Sequence, residues 1–429
     1  MLVRPSVQTI SCSPECSASL ACIDDKYNSA LKQLTNWIES RDYAGYEPYD
    51  LLNSPYLTAR ALRHRFVAPI IIQAGRRWGG LRLRKWLRVL PSKNPKALGL
   101  CLSAYSDLSE QGSNYKDQSF ALKAELQGLR SPGECCMCWG YDWDFASLRG
   151  TVLAKLSPNC IVTCFVASAL LDMGLAFGDA DAVAMAQSAG EFIYTRLNRS
   201  VNSPEAVCLS YTPGDRTRIY NNSVVAGAFL ARLAVLMGQP AYLDLAKRSM
   251  RYLAEEQKTD GSWTYGAAPN QRWIDGFHSG YNLCALLQYR GLTGDASFDK
   301  HLDRGYEFYK TSLVQKNGAP KYFHNGAFPI DIHACSQAIL TFCAFRERDP
   351  EALRLAVRTA DWTLNNMRSD EGTFFYQRHR SWTNRTPYMR WGQAWMFRSL
   401  ARLISALRDD KGNTAGTVVG CPESSVRVS

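Results

Sequence analysis

Residues 221–238 read NNSVVAGAFLARLAVLMG. The stretch is apolar on nearly every side, places Ala, Gly or Ser at many turns, and carries one charge, Arg232. A helix of this kind has no polar stripe to turn toward water, so it is expected to be buried on both sides against close neighbours. Five further stretches share the character. They start near Lys96 (KALGLCLSAYSDL), Asn159 (NCIVTCFVASALLDMG), His278 (HSGYNLCALLQYRGL), Asp331 (DIHACSQAILTFCAF) and Trp391 (WGQAWMFRSLARLISAL). The repeat length is roughly sixty residues, enough for two helices and two loops.

Between these copies lie stretches of another kind: 119–129, 181–197, 241–257, 297–313 and 351–367. AYLDLAKRSMRYLAEEQ (241–257) is typical, with apolar residues at i, i+3, i+4 and i+7 and charges opposite. Such helices sit outside with one side in water. Buried helices alternating with amphipathic ones predict an all-α fold, an (α/α)6 toroid in which an inner ring is sheathed by an outer one. An open solenoid of hairpins is the competing arrangement. Closure is favoured by the count of six and by two linker classes: inner-to-outer links such as MGQPAY are short, while those entering inner helices are long, aromatic and glycine-rich. The expected organisation is a tail over 1–24, an N-terminal helix and basic strap over 25–95, the toroid over 96–408 and a second tail over 409–429.

At 429 residues with 46% hydrophobic and 11% aromatic content, the chain has a globular composition. No run approaches the roughly 18 to 20 uninterrupted apolar residues of a membrane span, and the first residues lack the apolar core of a secretory signal. A cytoplasmic location is therefore expected, with peripheral attachment to the inner membrane as a further option. Six of the fourteen cysteines, Cys101, Cys160, Cys164, Cys284, Cys335 and Cys343, fall inside apolar helical runs and read as small hydrophobes. Cys135-Cys136-Met137-Cys138 contains a CxxC with no second pair at zinc spacing, so no metal is expected. The net charge of +11 is concentrated in residues 60–96, which contain many Lys and Arg and no Asp or Glu. Interleaved Phe66, Ile70, Trp78, Trp86 and Leu87 make the segment amphipathic as well as basic. That suits an anionic membrane surface at residues 60–90 or a polyanionic substrate, and equally a solvated face on a packed strap. No helix-turn-helix, zinc-finger or RNA-binding signature points to nucleic acid.

The long loops are expected to emerge at one end, over the N-termini of the inner helices, whose dipoles favour an anionic ligand. Trp143, Trp263, Tyr265, Tyr281, Tyr322, Tyr376, Tyr388 and Trp391 crowd these segments, with Asn222, Arg385, Arg390 and Gln393 among them. Aromatic floors and forked hydrogen-bonding groups suit a sugar ring. His278 and His333 head successive inner helices and are preceded by Asp275 and Asp331. Acid and imidazole so placed can run general acid/base chemistry. Asp142 and Asp144 flank Trp143 on one side of an extended loop and form a candidate carboxylate pair, Asp144 being the reserve acid. Arg385 and Arg390 are candidate anchors for a substrate carboxylate or phosphate. No P-loop, GxGxxG, GxSxG or HExxH occurs, so no cofactor is expected.

The motifs YAGYEPYDLLNSP (43–55), NPKALGLCLSAY (94–105), CWGYDWDF (138–145), WIDGFHSGYNL (273–283), FPIDIH (328–333) and YMRWGQAWMF (388–397) resemble a group of (α/α)-toroid proteins encoded among bacterial polysaccharide-biosynthesis genes. More distantly the chain is similar to N-acylglucosamine 2-epimerases, which use two opposed histidines, and to unsaturated glucuronyl hydrolases, which use aspartates. The resemblance implies an enzyme acting on a saccharide or lipid-linked saccharide as epimerase, lyase or hydrolase. Gln257-Lys258-Thr259-Asp260-Gly261-Ser262-Trp263 resembles instead the Q…G-x-W repeat of squalene cyclases and prenyltransferase-type barrels, which implies an isoprenoid-binding cavity. A glycan-binding assembly protein without catalysis is the third alternative.

Overall fold

The computed structural model describes residues 14–416 except 60, 65, 110, 111, 113 and 147–151, with side chains over 25–410 save 78, 146 and 152. The expected tails, 1–24 and 409–429, fall mostly outside these. In chain order the helices are α1 (Pro14–Glu39), α2 (Ala68–Trp78), α3 (Leu81–Trp86), α4 (Pro95–Ser109), α5 (Lys116–Gly128), α6 (Cys160–Phe177) and α7 (Ala180–Arg196). They continue as α8 (Tyr220–Met237), α9 (Pro240–Glu255), α10 (Gly276–Thr293), α11 (Asp299–Phe308), α12 (Ile332–Ala344), α13 (Ala352–Asn366) and α14 (Trp395–Gly416). A π-helical turn, Met389–Ala394, leads into the last of them.

Helices α4, α6, α8, α10, α12 and α14 each pack on the next, and α14 packs back on α4. The ring is closed, and the fold is an (α/α)6 toroid. Each inner helix carries an outer one: α5, α7, α9, α11 and α13 follow theirs in sequence, while α14 is sheathed by α1. Small residues bring the inner helices together: a Cβ on Gly99 of α4 would lie 3.1 Å from Val166 Cα of α6. Helices α6 and α8 are long and apolar enough to cross a membrane by length and composition, but most of each is buried inside the ring.

The caps explain why all long loops meet at one end. Asn159, Asp275 and Asp331 each accept a backbone N–H from the first turn of α6, α10 and α12, and Asn94 does so for α4. Each such acceptor satisfies an otherwise orphaned donor and fixes where the loop ends. At the other end tight turns suffice, as at Gly238, whose φ of 64° favours a residue without Cβ. The long loops pair as short antiparallel ribbons, including Arg199–Asn202 with Val207–Leu209 and Ile330–Asp331 with Gln377–Arg378.

The segment 257–263 leaves outer helix α9 and fastens it to outer helix α11. Gln257 Nε2 donates to Gly261 O and His301 O, its Oε1 faces His301 Nδ1 and Arg304, and Trp263 Nε1 donates to Leu253 O. The Trp263 ring lies flush against α11: a Cβ on Gly305 would come 2.4 Å from it. Gly305→Ala is therefore expected to destabilise the protein by about 1–3 kcal/mol, as overpacking does. A urea midpoint equal to that of the native protein would mean that the ring has room to move.

Candidate active site

Asp275 is buried and uses both oxygens. Oδ1 accepts the His278 N–H at 2.9 Å; Oδ2 accepts Trp273 Nε1 at 2.9 Å and faces His278 Nδ1 at 2.7 Å. The aspartate thus caps α10 and, by accepting a hydrogen bond from Nδ1–H, leaves Nε2 of His278 as the basic atom. The imidazole is held between Phe277 and Tyr265, at centroid distances of 4.1 and 4.5 Å, and Tyr265 stacks on Trp273 at 4.5 Å. About a fifth of the His278 side chain stays exposed.

His333 is enclosed. Its ring stacks on Phe277 at 4.5 Å and touches Trp391 and Trp395, while Nε2 lies 2.6 Å from Tyr281 Oη. Burial, reinforced by Lys96, Arg390 and His278, pushes its pKa far below the ordinary imidazole value, so the ring is neutral. Burial likewise raises the Tyr281 phenol, which stays protonated and shares a hydrogen bond with Nε2. The unfolded chain takes up a proton below about pH 6.5 that folded His333 refuses. Its contribution is complete above about pH 6.5 and is lost below it by up to about 1.4 kcal/mol per unit. His333→Gln is expected to flatten this acid-side fall; unfolding midpoints from pH 7 to 5 that run parallel in both proteins would contradict it.

Asp331 caps α12 through His333 N and also accepts Trp391 Nε1 at 2.9 Å and Gln377 Nε2 at 2.7 Å. Burial raises it to about 6, against these three bonds. With every bond spent, it holds His333 and Trp391 in place. Arg390 is likewise committed: its guanidinium lies 3.0 Å from the Glu47 carboxylate and its N–H donates to Glu47 Oε1 at 2.6 Å. Burial raises Glu47 above the ordinary carboxylate value, and Arg390 beside it pulls the other way. The guanidinium also sits over Tyr141, Trp143 and Trp391 at 5.1–5.5 Å.

The fold brings Trp143, Tyr265, Asp275, His278, Tyr281, Tyr322, Asp331, His333, Tyr376, Tyr388, Arg390 and Trp391 to this end of the ring; Tyr322 contacts Phe277, and Tyr376 packs between Tyr388 and Trp391. Others work elsewhere. Asp142 accepts Ser92 Oγ and Asn94 Nδ2, tying the loop to the head of α4, and Asp144 pairs with Arg63. Gln393 bonds both backbone atoms of Phe374, Asn222 holds Leu209 and Ser210, and Arg385 is exposed over Phe375. Trp263 seals the outer layer, as described above.

The sequence reading missed Lys96, Glu47, Tyr49, Tyr141 and Arg76. Lys96 is buried in the first turn of α4, with Nζ 3.9, 5.2 and 5.5 Å from the centroids of Phe165, Trp395 and Tyr281. Its signal was available: a cation at a helix N-terminus opposes the dipole, and NPKALGL has no acid nearby to explain it. Arg76, on α2, reaches Tyr49 Oη and lines a rim cleft of about 430 Å3 with Arg77, Gln377, His379 and Trp382. Through Gln377 the cleft is one hydrogen bond from Asp331.

No family model and no curated protein matches the sequence. Among solved structures, the chain is similar to cellobiose 2-epimerase from Spirochaeta thermophila DSM 6192, at 14% identity and TM-score 0.56 over 74% of this chain and 87% of that one. Cellobiose 2-epimerase from Bacillus thermoamylovorans B4167 matches at 12% identity and TM-score 0.59 over 88% and 99%. An unsaturated glucuronyl hydrolase specific for heparin matches at 12% and 0.59 over 89% and 96%. At such identities the likeness is one of fold.

Proposed function

We propose that the protein is a carbohydrate-active enzyme that moves protons at a saccharide, as an epimerase, lyase or hydrolase. The observation that carries this is the Asp275–His278 pair, whose free Nε2 is presented between aromatic rings at the loop-bearing end of a toroid shared with sugar epimerases and a glucuronyl hydrolase. His278 is the base. Tyr281, hydrogen-bonded to neutral His333, is the acid: it passes its proton to the substrate, and the phenolate that remains accepts from His333 in the tautomer that carries hydrogen on Nε2. Tyr265, Trp273, Tyr322 and Trp391 supply flat faces for the sugar ring.

The test is incubation with uronic-acid oligosaccharides, free and lipid-linked, in heavy water. Deuterium at a sugar carbon indicates an epimerase or lyase, and shortening of the chain indicates a hydrolase. Binding without either change leaves a glycan-binding protein and overturns the catalytic reading. A place in polysaccharide biosynthesis belongs to the same proposal.

The basic strap supports attachment to an anionic membrane surface. Arg84 and Arg63 turn inward to Asp50 and Asp144, but Arg77, Arg82, Lys85 and Arg88 face out beside exposed Phe66, Ile70, Trp86 and Leu90. Apolar and cationic groups together favour acidic lipid. Sedimentation with acidic but not neutral vesicles, weakened by salt, is the expected result; equal behaviour with both kinds counts against it.

A further inference from the structure

The buried polar atoms left without a protein partner at the centre of the ring include a group of donors. Trp143 Nε1, Trp395 Nε1 and Arg390 Nε have no acceptor among the described residues, and His333 Nδ1, which carries the proton when Tyr281 donates to Nε2, has none either. Lys96 Nζ joins them: among the described residues no hydrogen bond or ion pair reaches it, only the faces of Phe165, Trp395 and Tyr281. These groups are neighbours. Trp395 touches both Lys96 and His333, and Arg390 lies over Trp143. Buried donors without acceptors are costly, and a ligand that brings acceptors to them satisfies them.

We propose that Lys96 is the anion-binding residue of this site and that the substrate is an acidic sugar whose carboxylate sits against Lys96, with the indole and guanidinium N–H groups completing the cradle. The assignment rests on the saccharide reading above and deepens it. Arg390, the other cation here, is neutralised by Glu47 at 3.0 Å, which leaves Lys96 to supply the charge. In the free protein burial, with Arg390 adding to it, holds the Lys96 amine well below its ordinary pKa. An arriving carboxylate reverses that balance, so binding takes up a proton. Three rings around the amine then favour the ammonium form.

The experiment is calorimetric titration at pH 7.5, in HEPES and in Tris, with tetrasaccharides of glucuronate, galacturonate and mannuronate and with their methyl esters. At least one acid is expected to bind about tenfold or more tightly than its ester, the margin of a charge-assisted hydrogen bond. The two buffers are expected to report net proton uptake. Lys96→Met is expected to lose the preference for the acid and to unfold at a higher denaturant concentration than the native protein, because an apolar side chain replaces an unpaired buried amine. Lys96→Gln, should the first variant fold poorly, is expected to lose the preference too. Binding of none of the acids, equal binding of acid and ester, or a preference that survives both substitutions overturns the assignment. Failure of the catalytic reading looks different: the acids bind selectively and remain unchanged.

Discussion

Exchanging His278 for asparagine is expected to lower turnover of a bound acidic oligosaccharide by about 10²- to 10⁴-fold, the range supplied by a positioned general base. The fold is expected to survive. His278 is partly exposed in the first turn of α10, and the bond that caps the helix runs from its backbone N–H to Asp275, so the exchange leaves it in place. A midpoint of thermal unfolding within a few degrees of the native value is the control, since loss of a partly exposed polar side chain costs little. Asp275→Asn is expected to act on the same step by weakening control of the imidazole tautomer. If His278→Asn keeps native turnover, proton transfer runs through another group.

The largest expected effect on stability is at Glu47. Glu47→Gln keeps the size of the side chain but strands the Arg390 guanidinium, which cannot shed its charge. Breaking a buried pair from one side costs about 3–5 kcal/mol, and both partners are almost wholly inaccessible. Arg390→Met is expected to cost less, because Glu47, freed of the guanidinium that opposes the upward pull of burial, can take up a proton and become neutral. The asymmetry is the check: urea titrations at pH 7 should rank Glu47→Gln below Arg390→Met. The reverse order would mean that Glu47 is the partner that cannot be neutralised in place.

The fold was legible because its cause is local. Six stretches carry the same pattern of small and apolar residues, and a helix so composed has nowhere to go but inside. Asp275 and His278 were legible for a related reason: aspartate directly before a helix is a cap, and a histidine three residues on falls under the same carboxylate. What could not be read was which side of a loop each ring would take. Trp263 and Trp273 stand ten residues apart in one loop, yet one seals the outer layer while the other holds Asp275. Asp331 and Asp275 have the same place in the repeat, but Gln377 and Trp391, distant in sequence, consume the oxygens of the first. Lys96 was read as the start of a helix. That no acid pairs directly with it among the described residues follows from ring closure, which packs α14 and α6 on either side of it, and no window of sequence contains that.

Every inner helix is followed by its own outer helix except α14, whose sheath, α1, comes from the other end of the chain. The chain is in this sense a circle cut once, at a place equivalent to the tight turn around Gly238 between α8 and α9. The site is built from loops at the opposite end. The cut can therefore be moved by circular permutation to any of the other five such turns without severing a segment of the proposed site.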